Sequence, residues 1–89
     1  MTLKQILIEN NKNIENMIIE SKEMTYSSSN ISKLDLIPTG VGTYSLVLNE
    51  VVFDFTDEEL EKEGELIKGV FYFNLGKVKI ELLLRNSIV

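Results

Sequence analysis

LKQILIENNKNIENMIIESKE, residues 3–23, is the longest stretch of this 89-residue chain with a helical hydrophobic period, and its reading decides the fold. At about 100° per residue, Leu3, Ile6, Leu7, Ile14, Met17 and Ile18, with Met24 just beyond, fall within one stripe. Thr2 and Gln5 fit a capping box, in which a hydroxyl and a carboxamide three residues apart satisfy orphan backbone N–H groups. The spacing therefore predicts a helix from Leu3 to about Glu23 laid across a core. Asn10 interrupts the stripe, however, while Ile8 and Ile19 lie on nearly the opposite side. Either the helix breaks near Asn10-Asn11 or it carries a second apolar ridge at Ile8 and Ile19.

Outward from this segment, Thr25 to Asn30, with Ser27, Ser28 and Ser29 in a row, has turn-forming composition and reads as a mobile loop. Ile31 to Ile37 fits a short strand that Pro38 ends or holds at a sheet edge. Two hairpins follow. A two-residue turn at Asn49-Glu50 opposes Leu48 to Val51, Leu46 to Phe53 and Tyr44 to Phe55 on one side of a ribbon. A turn at Leu75-Gly76 opposes Phe73 to Val78, Phe71 to Ile80 and Gly69 to Leu82. Between the hairpins, Thr56 and Glu59 make a second capping box, and Gly64 fits the residue after a helix end, so a short acidic helix spans Asp57 to Glu63. The fold expected is α+β: an N-terminal amphipathic helix packed on a four- or five-stranded antiparallel sheet made of two hairpins joined by a short acidic helix. Residues 1–89 read as a single small globular domain.

Composition removes much chemistry. The chain has neither Cys nor His, so thiolate nucleophiles, disulfides, zinc sites of N/S ligands and histidine-based triads are all excluded. Oxygen ligands for Mg²⁺ or Ca²⁺ remain, but the acidic segment lacks the alternating ligands and fixed glycine of a calcium loop. No cofactor, metal or catalytic residue is expected, and the protein reads as not an enzyme. Thr39-Gly40-Val41-Gly42-Thr43 has the glycines of a phosphate loop but no lysine and no helix after it, so it reads as a plain loop. The net charge is −5, a poor footing for binding nucleic acid. No apolar run approaches the length of about 18 residues that spans a membrane. A cytoplasmic protein with no membrane partner is expected.

Charge and apolar surface point to partner binding. Residues 54–65 hold seven carboxylates against Lys62 alone. Like charges at Asp57 and Glu61 or Glu59 and Glu63 oppose one another across a helical turn, so local stability does not explain them. Asp57, Glu58, Glu61 and Glu65 are the candidate acidic patch for a basic protein surface. Val47, Val52, Val70, Tyr72 and Leu83 point away from the expected core and, with Ile8 and Ile19, form a candidate apolar interface for a homodimer or another protein. Tyr72 is the expected anchor. The function expected is a small acidic, non-enzymatic protein-binding module, an inhibitor or adaptor. The chain has no Ala and one Arg against eight Lys, a low-GC coding pattern; a phage or mobile-element protein blocking a host defence complex is its concrete form. The alternative is a structural subunit of a phage particle or other oligomer. Small-molecule or nucleotide binding ranks below both, because a small core leaves little room for a pocket.

Overall fold

Helix α1 (Leu3–Glu9) starts where the capping box puts it, with the Thr2 hydroxyl accepting from the Gln5 N–H and the Gln5 carboxamide accepting from the Thr2 N–H. It ends after seven residues. Asn11–Asn13 form one 3-10 turn and the chain then runs extended as β1 (Ile14–Ser21). The break at Asn10-Asn11 is thus the correct alternative, and the helix expected to reach Glu23 is corrected: its second half is a strand. Asn side chains compete with the backbone in helix interiors, and branched Ile14, Ile18 and Ile19 are stiff in a helix but suit a pleated surface. Met17 and Ile19 alternate inward along β1, and a register shift between Ile14 and Asn16 lets Ile14 face inward with them. That bulge is why the same residues also fit a helical stripe.

The computed structural model describes residues 1–85. Beyond β1, the chain forms β2 (Thr25–Ser28), β3 (Leu34–Gly40), β4 (Thr43–Leu48), β5 (Val51–Thr56), α2 (Asp57–Leu60), β6 (Glu65–Ile67), β7 (Val70–Asn74) and β8 (Val78–Leu84). The eight strands make two antiparallel sheets, one ordered β2-β1-β8-β7-β6 and one ordered β3-β4-β5. The α+β class holds, with more sheet than expected, but the single four- or five-stranded sheet is corrected because the two hairpins belong to different sheets. The expected mobile loop is corrected too: Thr25–Ser28 pairs with β1, Tyr26 opposite Ile19 and Ser28 opposite Met17.

The first hairpin has the expected register in full, Leu48 opposite Val51 through Tyr44 opposite Phe55. The second is displaced. Its turn is Gly76-Lys77 rather than Leu75-Gly76, so Phe73 opposes Ile80 and Phe71 opposes Leu82. Moving a turn by one residue moves the pairing by two, which leaves every side chain on its expected face. Strand β3 runs through Pro38 instead of ending there. The Asn49 N–H bonds the Lys33 carbonyl, and the alternation of an antiparallel ladder from that bond aims Pro38 nitrogen at the open edge, where no donor is needed.

Helix α2 is one turn long and Leu60 is its buried anchor. Gly64 is not its terminal cap; a Cβ there would lie 2.6–3.0 Å from the Phe73 ring, so the glycine is required by close approach. The inner faces of both sheets share one core with the helices: Leu3, Ile6 and Leu7 from α1, Leu46 and Phe55 from the smaller sheet, Met17, Phe73 and Leu82 from the larger. Each fully buried aliphatic side chain contributes about 1.5–3 kcal/mol. A helix as short as α1 has no stability of its own, and its three buried residues are what hold it.

Candidate partner-binding surface

The acidic segment is partly neutralised from within, four of its seven carboxylates having an ion-pair partner among the described residues. Lys4 on α1 lies 3.5 Å from Asp57 and 3.8 Å from Glu61. Lys77 reaches Glu59 at 3.3 Å, and the chain's terminal ammonium reaches Glu63 at 3.0 Å. Lys4 also donates to the Tyr44 hydroxyl at 3.3 Å. That hydrogen bond, with the Asp57 carboxylate adding to it, raises the Lys4 ammonium above its ordinary value although partial desolvation works the other way. Of the four acids expected to form one patch, Asp57 and Glu61 thus serve as partners of α1. Glu58 is exposed, with no ion pair among the described residues. Glu65 has left the helix altogether and starts β6, opposite Tyr72.

The expected apolar face is divided as well. Val47 and Val52 oppose each other on the outer side of the three-stranded sheet, where Val52 is 58% exposed. Val70, Tyr72 and Leu83 lie on the outer side of the five-stranded sheet. Ile8 stands alone on α1, exposed. Ile19 is corrected from interface to core, 2% exposed, because β1 is a strand and turns it inward.

Strand register arranges the larger outer face in cross-strand rows. Asn16, Leu83, Val70 and Ile67 form one; Ser27, Ile18, Glu81, Tyr72 and Glu65 form the next; Thr25, Glu20, Lys79 and Asn74 form the third. An apolar row therefore runs beside a row in which Tyr72 sits between two carboxylates. A shallow depression of about 390 Å³ opens there, lined by Tyr72, Glu20, Glu63, Glu65, Glu81 and Lys79 among others. Tyr72 is 38% exposed. Reading β1 as a helix hides Ile18 and Glu20 from this face; the alternation of Met17 and Ile19 is the signal that reveals them.

These carboxylates do not converge: among the described residues, no group of three or more metal-liganding side chains is placed to hold an ion. Within Thr39–Thr43, Val41-Gly42 is the β3–β4 turn, with Gly42 at φ 72°, and a strand follows it, so the loop lacks the helix start of a phosphate cradle. Among the described residues no helix is long and apolar enough to cross a membrane. Comparison with protein-family models, with curated proteins and with solved structures gives no match.

Proposed function

We propose that this protein is a non-enzymatic binding module, an inhibitor or adaptor, that docks a basic protein surface on the outer face of its five-stranded sheet. The observation that carries the reading is Tyr72, exposed between Glu65 and Glu81 and bordered by the row of Leu83, Val70 and Ile67. An aromatic anchor with a polar tip, set on apolar neighbours and rimmed by charge, is the composition of an interface hot spot. The rim carboxylates would speed encounter with a Lys- or Arg-rich partner and make it salt-sensitive. The acidic contribution thus passes from Asp57, Glu58 and Glu61 to Glu65, with Glu20 and Glu81 added. A host defence complex blocked by a phage protein remains the concrete version of such a partner. The reading involves no nucleic acid and no membrane.

Capture from lysate by the tagged protein, compared with Tyr72→Ala, Glu65→Lys/Glu81→Lys and Val52→Asp, tests it. A partner retained by wild type and Val52→Asp but lost by the other two supports this face. Equal capture by all four removes it.

A two-fold pairing of the Tyr72 face would oppose carboxylates to carboxylates. In this reading the expected homodimer uses exposed Val52 and Ile37 with Val47 on the smaller sheet, beside Asp35 and Asp54 on the same outer face. That second apolar patch is also the observation favouring the alternative, a subunit of a larger assembly, because two unlike faces permit head-to-tail growth. Light scattering over a concentration range separates the two: a mass that stops at a dimer supports the binding module, and growth beyond it supports the assembly subunit.

A further inference from the structure

In a chain of net charge −5, three of the nine Lys and Arg residues gather at one cleft. Lys12 comes from the 3-10 turn, Lys33 from the approach to β3 and Arg85 from the end of β8; sequence separates them widely and the topology brings them together. The cleft measures about 460 Å³, within the size range of small-molecule sites. Its apolar wall is Ile14, Ile31 and Leu34, and Asp35 is the one carboxylate among its lining residues.

The backbone that carries the cations is tied down. The Arg85 N–H donates to the Asn13 carbonyl beside Lys12. The Asn49 carboxamide oxygen accepts from the Ser32 N–H at 2.8 Å, the Ser32 hydroxyl at 3.0 Å and the Lys33 N–H at 3.2 Å, and the Asn49 N–H bonds the Lys33 carbonyl at 2.8 Å. Lys4 and Lys77 each lie against carboxylates. Among the described residues, Lys12, Lys33 and Arg85 have no such partner. Three like charges held around one concavity, with a single acid at its rim, favour a ligand that brings more than one negative charge.

We propose that this cleft binds a small phosphorylated molecule, its phosphate groups taken by Lys12, Lys33 and Arg85 and its apolar part set against Ile14, Ile31 and Leu34. Arg85 supplies a planar fork matched to two phosphate oxygens, and the lysines supply point charges. A monocarboxylate would bring one charge where the cluster calls for two or more. The site is separate from the Tyr72 face and does not depend on it.

Calorimetric titration of the full chain with inorganic pyrophosphate, ADP and adenosine tests the assignment, with amide chemical shifts to locate the contact. Saturable binding of pyrophosphate and ADP but not adenosine is expected, with ADP the tighter because its ring meets the apolar wall. Lys33→Gln and Arg85→Gln should each weaken binding about tenfold, the loss of one charged hydrogen bond. Lys22→Gln, a lysine outside the cleft, should change nothing. If Arg85→Gln fails to fold, Lys12→Gln/Lys33→Gln serves in its place, since both side chains are exposed. Absence of saturable binding to either phosphate probe would overturn the proposal, as would equal weakening by Lys22→Gln. Affinity that instead grows with the length of an oligonucleotide or an acidic peptide would also overturn it.

Discussion

The two hairpins share a plan and are closed by opposite means. At the β4–β5 turn Asn49 takes φ 54°, a conformation that few residues other than glycine adopt readily, and its carboxamide lies within hydrogen-bond distance of six groups on Tyr26, Ser28, Asn30, Ser32 and Lys33, which share its two N–H donors and its oxygen. That turn is a tertiary junction between the smaller sheet and the segment joining β2 to β3. At the β7–β8 turn Gly76 takes φ 88° with open space around it, and Asn74 accepts from its N–H in a local turn. The first turn is held by partners remote in sequence, the second by its own backbone. The same hairpin plan can thus be secured by long-range bonds in one sheet and by local geometry in the other.

The largest test lies beside the second hairpin. Gly64→Ala would press a methyl group against Phe73, a ring 2% exposed and unable to retreat. Overpacking of this kind costs about 1–3 kcal/mol and sometimes more, a large part of the stability of so small a domain. Urea unfolding should show the midpoint fall sharply. An unchanged midpoint would mean that β6 and the Gly64 segment can move off the sheet.

The comparison of turns is sharpened by Asn49→Ala and Gly76→Ala together. Asn49→Ala removes the whole side-chain hub and leaves a methyl residue at positive φ, for an expected loss of about 2 kcal/mol. Gly76→Ala meets no atom within 4 Å, so only the backbone penalty remains, about 1 kcal/mol. Asn49→Gly separates the two causes: it relieves the backbone and still loses the hub. If Asn49→Gly exceeds wild type by the whole backbone penalty, about 1 kcal/mol, the side-chain hub contributes nothing and the contrast between the turns collapses.

The same contrast governs what sequence could tell. The β4–β5 pairing was legible because strict alternation on both sides of Asn49-Glu50 admits one register, and both capping boxes were legible because they are three-residue patterns satisfied locally. Segment 14–28 was not. A bulge between Ile14 and Asn16 makes its strand pattern mimic a helix, and Ser27-Ser28 becomes a strand through pairing with β1, which no local signal announces. The candidate surface inherited that error: Tyr72 and Glu65 were legible, whereas Ile18 and Glu20 become neighbours of the face only once β1 is a strand. The division of one expected patch into two came from a property of the whole fold, the assignment of the hairpins to separate sheets.

The smallest effect concerns how each hairpin is tied to the helices, and it can be read by pH. Lys4 joins α1 to Tyr44 of the first hairpin and to Asp57, whereas Lys77 of the second donates to the Asp54 carbonyl on the open edge of β5. The folded Lys4 ammonium holds its proton more tightly than in the unfolded chain, chiefly through the Tyr44 hydroxyl and then Asp57. A lysine so raised contributes stability that is complete below its ordinary value of 10.5 and is lost as pH climbs through the higher folded value. Lys4→Met should therefore be less stable than wild type at neutral pH, and the gap should narrow at strongly alkaline pH, where the Lys4 charge is lost. Because the ammonium remains partly open to solvent, the gap should be small and should shrink with added salt. A gap that stayed constant through the alkaline range would leave charge out of the tie between α1 and the first hairpin, including that of the ammonium 5.2 Å from the Tyr44 ring centroid.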